Sequence, residues 1–233
     1  KGDLLVSLGG GSTTDGGKAV TICLKHGISD IDGMEAYRTV VDETGKRHFP
    51  EYDAPDVRQI VVPTTLSAGE FNARAGVTNS ALRLKQSFVH PGIIPISVIL
   101  DPAVTLRTPE WLFLSTGIRA VDHAVETYLS IDANAYYDGA CLQALRLLSE
   151  GLPRVKADPS DLDARLKCLM GAWMSMTGII AGARLGASHA IGHILGGSAG
   201  VPHGHTSCIM LPYVLEWNAA VNGERQKEIA TAM

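Results

Sequence analysis

Short apolar runs punctuate the first half of the chain, each closed by glycine, proline or a Thr/Ser turn. They are Leu4-Leu5-Val6-Ser7-Leu8, Gln59-Ile60-Val61-Val62-Pro63 and Pro95-Ile96-Ser97-Val98-Ile99-Leu100. Such runs predict buried strands. Residues 16–26 read as a helix after the first strand. Residues 30–56 are polar, with a hairpin expected around Asp42-Glu43-Thr44-Gly45-Lys46, and 75–79 with 84–89 predict a second, more exposed hairpin. Strands alternating with helices argue for a largely parallel α/β sheet. From Thr108 the period becomes helical. Thr108-Pro109-Glu110 is a helix start, 115–130, 134–152, 161–185 and 188–195 predict further helices, and Asp158-Pro159-Ser160-Asp161 separates two of them. The pattern thus predicts an α/β domain over 1–103 followed by an all-helical domain over 104–233.

The chain opens on Lys1-Gly2-Asp3, runs at once into a strand, and closes on the helix-forming stretch 224–233 without a stop signal. A buried strand needs neighbours, so the expectation is an internal part of a longer protein, with strands before Lys1 and helices after Met233. Hydrophobic residues make up 45% and charged residues 19%, a globular balance rather than a disordered one. A net charge of −4 with no basic cluster argues against nucleic acid as partner. No apolar run approaches the ~18 residues that cross a bilayer. The four cysteines are dispersed and read as free thiols of a reducing cytoplasm. Met170, Met174, Met176 and Trp173 fall in an apolar helix and read as core.

Two kinds of candidate chemistry stand out. Gly9-Gly10-Gly11-Ser12 follows a strand and precedes a helix, where bare backbone lets a phosphate approach the N–H groups of a helix N-terminus. A tight structural turn would show the same glycines. Thr64-Thr65-Leu66-Ser67 also follows a strand, and strand C-termini are where α/β sheets bind ligands. Four of the eight histidines fall within 189–205, in His189-Ala-Ile-Gly-His193 and Pro202-His203-Gly204-His205. His189 and His193 share one helix face, whereas His203 belongs to the loop beyond. Imidazole is the commonest metal ligand and the usual proton shuttle. His26, His48, His90 and His205 read as surface or loop histidines.

Taken together, Gly9-Gly10-Gly11-Ser12-x-x-Asp15, Pro63-Thr64-Thr65 with Glu70, Asp101-Pro102, Thr116-Gly117, His123-Ala124-x-Glu126, His189 with His193, and Pro202-His203-Gly204 occur in that order. This series resembles the iron-containing (group III) alcohol dehydrogenases, of dehydroquinate-synthase-like fold. Leu66–Phe71 and the stretch from Gly117 to His123 are most similar to the maleylacetate reductases among them. The resemblance implies an NAD(P)-dependent oxidoreductase, possible as a homodimer, acting on a small molecule between its two domains. It implies cofactor contacts from Gly10, Gly11, Ser12 and Asp15, from Thr64, Thr65 and Ser67, and from Lys85. It assigns His123, His189 and His203 to three metal-ligand positions and His193 to a second histidine near the nicotinamide.

One departure bears on the chemistry. The family's usual metal site has an aspartate four residues before its first histidine, and Arg119 stands there. A guanidinium is permanently cationic and cannot ligate. Asp122 is turned about 100° away around the helix. Three neutral imidazoles alone can hold zinc, so iron or zinc stays open, but Arg119 repels a dication and attracts a carboxylate. A dicarboxylate such as maleylacetate suits that arginine, with His193, His123 and Arg119 serving proton transfer and anion stabilisation. A structural ion pair of Arg119 with Asp122 or Glu126 is the competing reading. A metal-dependent dehydrogenase of a small alcohol or aldehyde is the alternative function. Glu126 itself reads as a helix-surface residue or as the orienter of a histidine.

Overall fold

β1 (Leu4–Gly9) and β4 (Arg58–Pro63) pair in parallel from Leu4↔Arg58 to Gly9↔Pro63, and β7 (Ser97–Val98) adds to the other edge of β4. The computed structural model describes residues 3–80, 82 and 84–233, apart from the side chains at 197 and 203. α1 (Gly11–His26) follows β1 directly and ends at Gly27, whose φ of 65° places it in the left-handed region, and the short α2 (Ile31–Met34) starts behind the cap of Asp30. β2 (Val40–Val41) and β3 (Arg47–His48) form the expected first hairpin. Asp42 Oδ1 accepts from the amides of Thr44 and Lys46 to close its turn. β5 (Arg74–Asn79) and β6 (Leu84–Val89) form the second hairpin, and its Ala75 and Phe88 pack with Ile22 of α1 and with Ile93.

The sequence made β1 a buried strand, but Leu4, Val6 and Leu8 are 44%, 62% and 60% exposed. β1 is an edge strand, and only its opposite face, with Ser7 against Gln59, is covered. Three of the histidines read as surface or loop residues make defined contacts. His26 Nε2 lies 3.2 Å from Asp53 O, His48 Nε2 lies 2.6 Å from Asp42 Oδ2, and His90 Nδ1 accepts from Gly92 N at 2.8 Å.

The helical part consists of α3 (Glu110–Tyr128), α4 (Ala135–Ala157), α5 (Leu162–Ser175), α6 (Thr177–Ile180), α7 (Ala187–Ala199) and α8 (His203–Ala232, kinked at Asn222). Cys141, Leu145, Leu148, Leu152 and Val155 recur at helical spacing along α4 and are buried, and the Asn134 side chain caps its first turn. α5 starts behind the cap that Asp161 supplies. Trp173 is 48% exposed and stands on the outer face of α5 rather than in the core.

The chain divides into two compact units, each with its own packing. One takes the residues up to Pro63 with Gly69–Ile99, and the other takes Thr64–Ala68 with Leu100–Met233. The contiguous boundary expected at 103 therefore needs two changes. It falls after Ile99, and the Thr/Ser turn belongs with the helices. The reason is Leu66, which is fully buried and whose amide donates to Thr116 Oγ1 of α3 at 3.1 Å.

Candidate functional site

In the α/β unit the glycine turn is the N-terminus of α1. Gly10 caps the helix in extended conformation, no side chain caps it, and its first turn carries no acid. Gly11, Ser12 and Thr13 are thus the amides that helix geometry leaves without an intrahelical partner, while Thr14 N already donates to Gly10 O at 3.0 Å. Asp15 belongs to the next turn and is engaged elsewhere. Its Oδ2 accepts from Gly76 N at 2.9 Å and its Oδ1 lies 3.6 Å from Lys18 Nζ. Burial raises its pKa, opposed by the charge of Lys18. Lys85 lies over bare Gly76, where a Cβ would stand 2.5 Å from its Cε. Lys85 and Asp15 are therefore brought together.

A charge that sequence reading passed over organises this corner. Lys18 is fully buried and its ammonium donates to three carbonyls, Gly69 O at 2.6 Å, Arg74 O at 2.8 Å and Asn72 O at 2.9 Å. Glu70, 3% exposed, sits in the segment so held, and burial pushes its carboxyl up to about 7. The Thr/Ser turn, in the helical unit, is built by local bonds. Thr65 Oγ1 and Ser67 Oγ are 3.1 Å apart, and Thr108 Oγ1 donates to Thr64 O at 2.7 Å. Ala68 closes the turn at φ 59°, a left-handed conformation that an L-residue holds only against strain.

The helical unit gathers the histidines. His123 of α3 and His189 of α7 stack, with ring centroids 4.9 Å apart and planes inclined by 27°. Both are buried, whereas His193, one turn along α7, is exposed. The side chain of His203 lies outside the described residues. Its backbone is not in a loop, because Pro202 is the N-cap of α8 and His203 opens that helix. The bare Gly204 allows this approach, since a Cβ there would stand 2.8 Å from Ser115 Oγ. His205 rests edge-on to Trp111 at 5.8 Å.

Three charged residues of α3 lie around this pair, and of the two places the sequence left open for Glu126 the structure has the one beside a histidine rather than on the helix surface. Glu126 is 6% exposed, not on the helix surface, because its carboxylate meets the N-terminus of α7. It accepts from Ser188 N at 2.8 Å, Gly186 N at 3.0 Å and His189 N at 3.3 Å, and lies 2.7 Å from His189 Nδ1. Asp122, turned away from His123 on its own helix, faces His189 from across the helix interface. Its Oδ2 is 3.4 Å from Nδ1 and accepts from Ser188 Oγ at 2.9 Å. Arg119 is 5% exposed and donates to Ser207 Oγ at 3.0 Å.

Burial and charge set the protonation states. Burial pushes Asp122 up to about 6, with Ser207 and Arg119 opposing. Burial pulls Arg119 down to about 10, the neighbouring Asp122 and Glu126 acting to raise it. His189 is driven down to about 2 by burial first, then by the charges of Arg119 and His193, so its ring is neutral. The sequence offered Glu126 as the orienter of a histidine without saying which one, and gave Asp122 only an ion pair with Arg119. Their i, i+4 spacing puts two carboxylates on one helix face, but nothing in the sequence names the helix that covers that face.

Comparison with known proteins places the chain among relatives over nearly its whole length. Residues 113–233 match the C-terminal model of the Fe-containing alcohol dehydrogenase family, and residues 1–102 match the iron-containing alcohol dehydrogenase model. The maleylacetate reductase of Rhizobium sp. (strain MTP-10005) is 34% identical over 215 residues, covering 92% of this chain and 52% of that protein. The 1,3-propanediol dehydrogenase of Klebsiella pneumoniae is 34% identical over 236 residues, covering 99% and 56%. The solved alcohol dehydrogenase from Oenococcus oeni superposes with a TM-score of 0.85 at 31% identity, covering 100% of this chain and 57% of that one. The chain thus spans about half the length of the curated relatives it matches.

Proposed function

The chain belongs to the iron-containing alcohol dehydrogenase family, and from that premise we propose that it forms part of a nicotinamide-dependent oxidoreductase, with NADH or NADPH as reductant. The uncapped N-terminus of α1, with no acid in its first turn, suits a pyrophosphate. The finer reading is a reductase of a dicarboxylate, maleylacetate to 3-oxoadipate, as in the degradation of aromatic compounds. One observation carries it: a buried guanidinium, Arg119, lies within the histidine cluster where the family's usual pattern has an aspartate.

Iron or zinc, which the family name implies, does not fit the described donors. Asp122, Glu126 and His189 do offer ligand atoms within 4.8 Å of one another. The carboxylate of Glu126, however, already serves the amides at the start of α7, and Asp122 serves Ser188. A metal at Nδ1 would strip that helix of its cap. The charge of Arg119 also acts on His189 and opposes a dication at the other ring nitrogen, while the carboxylates of Asp122 and Glu126 act in the opposite sense.

When bound, the reduced nicotinamide supplies a hydride to the alkene carbon of an unsaturated ketone. The alkene electron pair then moves onto the carbonyl oxygen, and one proton completes the saturated product. Arg119 stabilises the developing oxyanion and pairs with a substrate carboxylate. His193, exposed on α7, delivers the proton from solvent, and His123 assists in the buried part of the cluster.

The test is steady-state oxidation of NADH and NADPH with maleylacetate and with small aldehydes, with and without chelator, alongside elemental analysis. Turnover of maleylacetate, insensitive to chelator and without stoichiometric metal, is expected. Chelator-sensitive turnover of a small alcohol or aldehyde would instead establish a metal-dependent dehydrogenase. One observation favours that second reading: the Nε2 atom of His189 is buried and makes no hydrogen bond among the described residues.

A further inference from the structure

Glu126 does more than a helix cap requires. A cap needs an acceptor on the amides of α7, and the carboxylate provides it on three of them. The same group also reaches the imidazole of His189, with Oε2 2.7 Å from Nδ1. A carboxylate offers only lone pairs, so the ring nitrogen facing it must carry the hydrogen. Asp122 Oδ2, 3.4 Å from that same nitrogen, imposes the same demand. With Nδ1 bearing the proton of a neutral ring, Nε2 is left as a bare acceptor, and among the described residues that buried atom makes no hydrogen bond.

The backbone is shaped to this contact. Gly186 stands against the carboxylate so closely that a Cβ there would lie 2.8 Å from Oε1 and 3.3 Å from Cδ. That carboxylate is held by several donors, so it cannot swing aside without giving up the helix cap or the ring contact.

We propose that Glu126 is a positioning residue, fixing His189 as the Nδ1–H tautomer so that its Nε2 presents a lone pair to the substrate region. This rests on the reading of the histidine cluster as the reaction site. It makes His189 an acceptor for a substrate hydroxyl or other donor and leaves proton delivery to His193.

The test reads the tautomer directly. The full chain is labelled with 15N-histidine, and the two-bond nitrogen–proton pattern of His189 is recorded near neutral pH without substrate, assigned by loss of the signals in His189→Gln. The expected wild-type pattern is Nδ1–H. In Glu126→Gln the amide keeps one oxygen for the helix but can turn its NH2 to the ring, so the Nε2–H form should gain population. Gly186→Ala should move the population the same way by displacing the carboxylate with no change of charge. Turnover should fall roughly tenfold to hundredfold in Glu126→Gln, about what losing one hydrogen bond to a charged group costs, with the KM for NADH unchanged. A wild-type Nε2–H pattern would overturn the proposal, and so would an Nδ1–H pattern that survives in both variants while only thermal stability drops. If Glu126→Gln does not fold, the wild type and Gly186→Ala still decide. An intact tautomer pattern in a protein that does not reduce maleylacetate would refute the proposed function and leave this inference standing.

Discussion

The corner around α1 and the interface of α3 with α7 spend buried charge in opposite ways. At α1, Lys18 and Asp15 bind backbone, three carbonyls and one amide, while the glycine turn itself carries no side chain. At α3 and α7, Arg119, Asp122 and Glu126 are directed at other side chains and at one helix end, and the candidate reactive atoms are imidazole nitrogens. A site made of amides needs its backbone held still and bare. A site made of side chains needs each ring held in one orientation, which takes partners from another helix. Substitutions in the first corner should therefore act on folding and cofactor affinity, and those in the second on turnover and substrate choice.

The largest expected effect is that of Lys18→Met. It strands three partly buried carbonyls and removes the buried cation beside Asp15 and Glu70, which should cost about 3–5 kcal/mol of stability. Chemical denaturation of variant and wild type measures it. A loss below about 1 kcal/mol would mean that the corner is not held by this charge.

A pH effect of about 2 kcal/mol should come from Glu70. Its folded-state pKa is raised from 4.5 to about 7, so the fold disfavours the ionised form. The stability tied to its proton is complete below 4.5 and is lost as pH rises towards 7. Melting curves at pH 5 and pH 7 should show a decline that Glu70→Gln flattens. Equal slopes in both proteins would remove Glu70 as its source.

Gly10→Val should leave the fold nearly intact but weaken nicotinamide-cofactor binding by about 2 kcal/mol, since a branched side chain intrudes where phosphate meets backbone. Calorimetric titration decides, and equal affinities would take the turn out of the cofactor site.

The smallest effect, and the one that most sharpens the comparison, is expected for Arg119→Lys. The charge is kept but the fork is lost, worth about 1 kcal/mol or a fivefold to tenfold fall in kcat/KM on dicarboxylates. Neutral aldehydes should be unaffected. An equal fall on both substrate classes, with a lowered melting temperature, would make Arg119 part of the scaffold alone.

The sequence by itself determined the alternation of strands, turns and helices and the positions of the candidate reactive atoms, but neither the break between α5 and α6 inside 161–185 nor the helix α8 that His203 opens. Strand, glycine turn and helix at 4–26, the two hairpins, and the helical second half follow from local rules of period, turn chemistry and capping, which involve residues near in sequence. Gly10, Gly11, His123, His189 and His193 are visible for the same reason, as chemistry-bearing types at local spacing. Tertiary structure decided what those atoms can do. Leu4, Val6 and Leu8 look like core, but their exposure depends on which strands lie beside β1. Thr64–Ala68 belongs with the helices because Leu66 is buried against α3. Glu126 and Asp122 became partners of His189 only because α7 lays its N-terminus across them, 63 and 66 residues from the Glu126–His189 and Asp122–Ser188 ends of those contacts. Burial and hydrogen-bond partners set protonation and tautomer, and both are properties of the packed interface rather than of any segment within it.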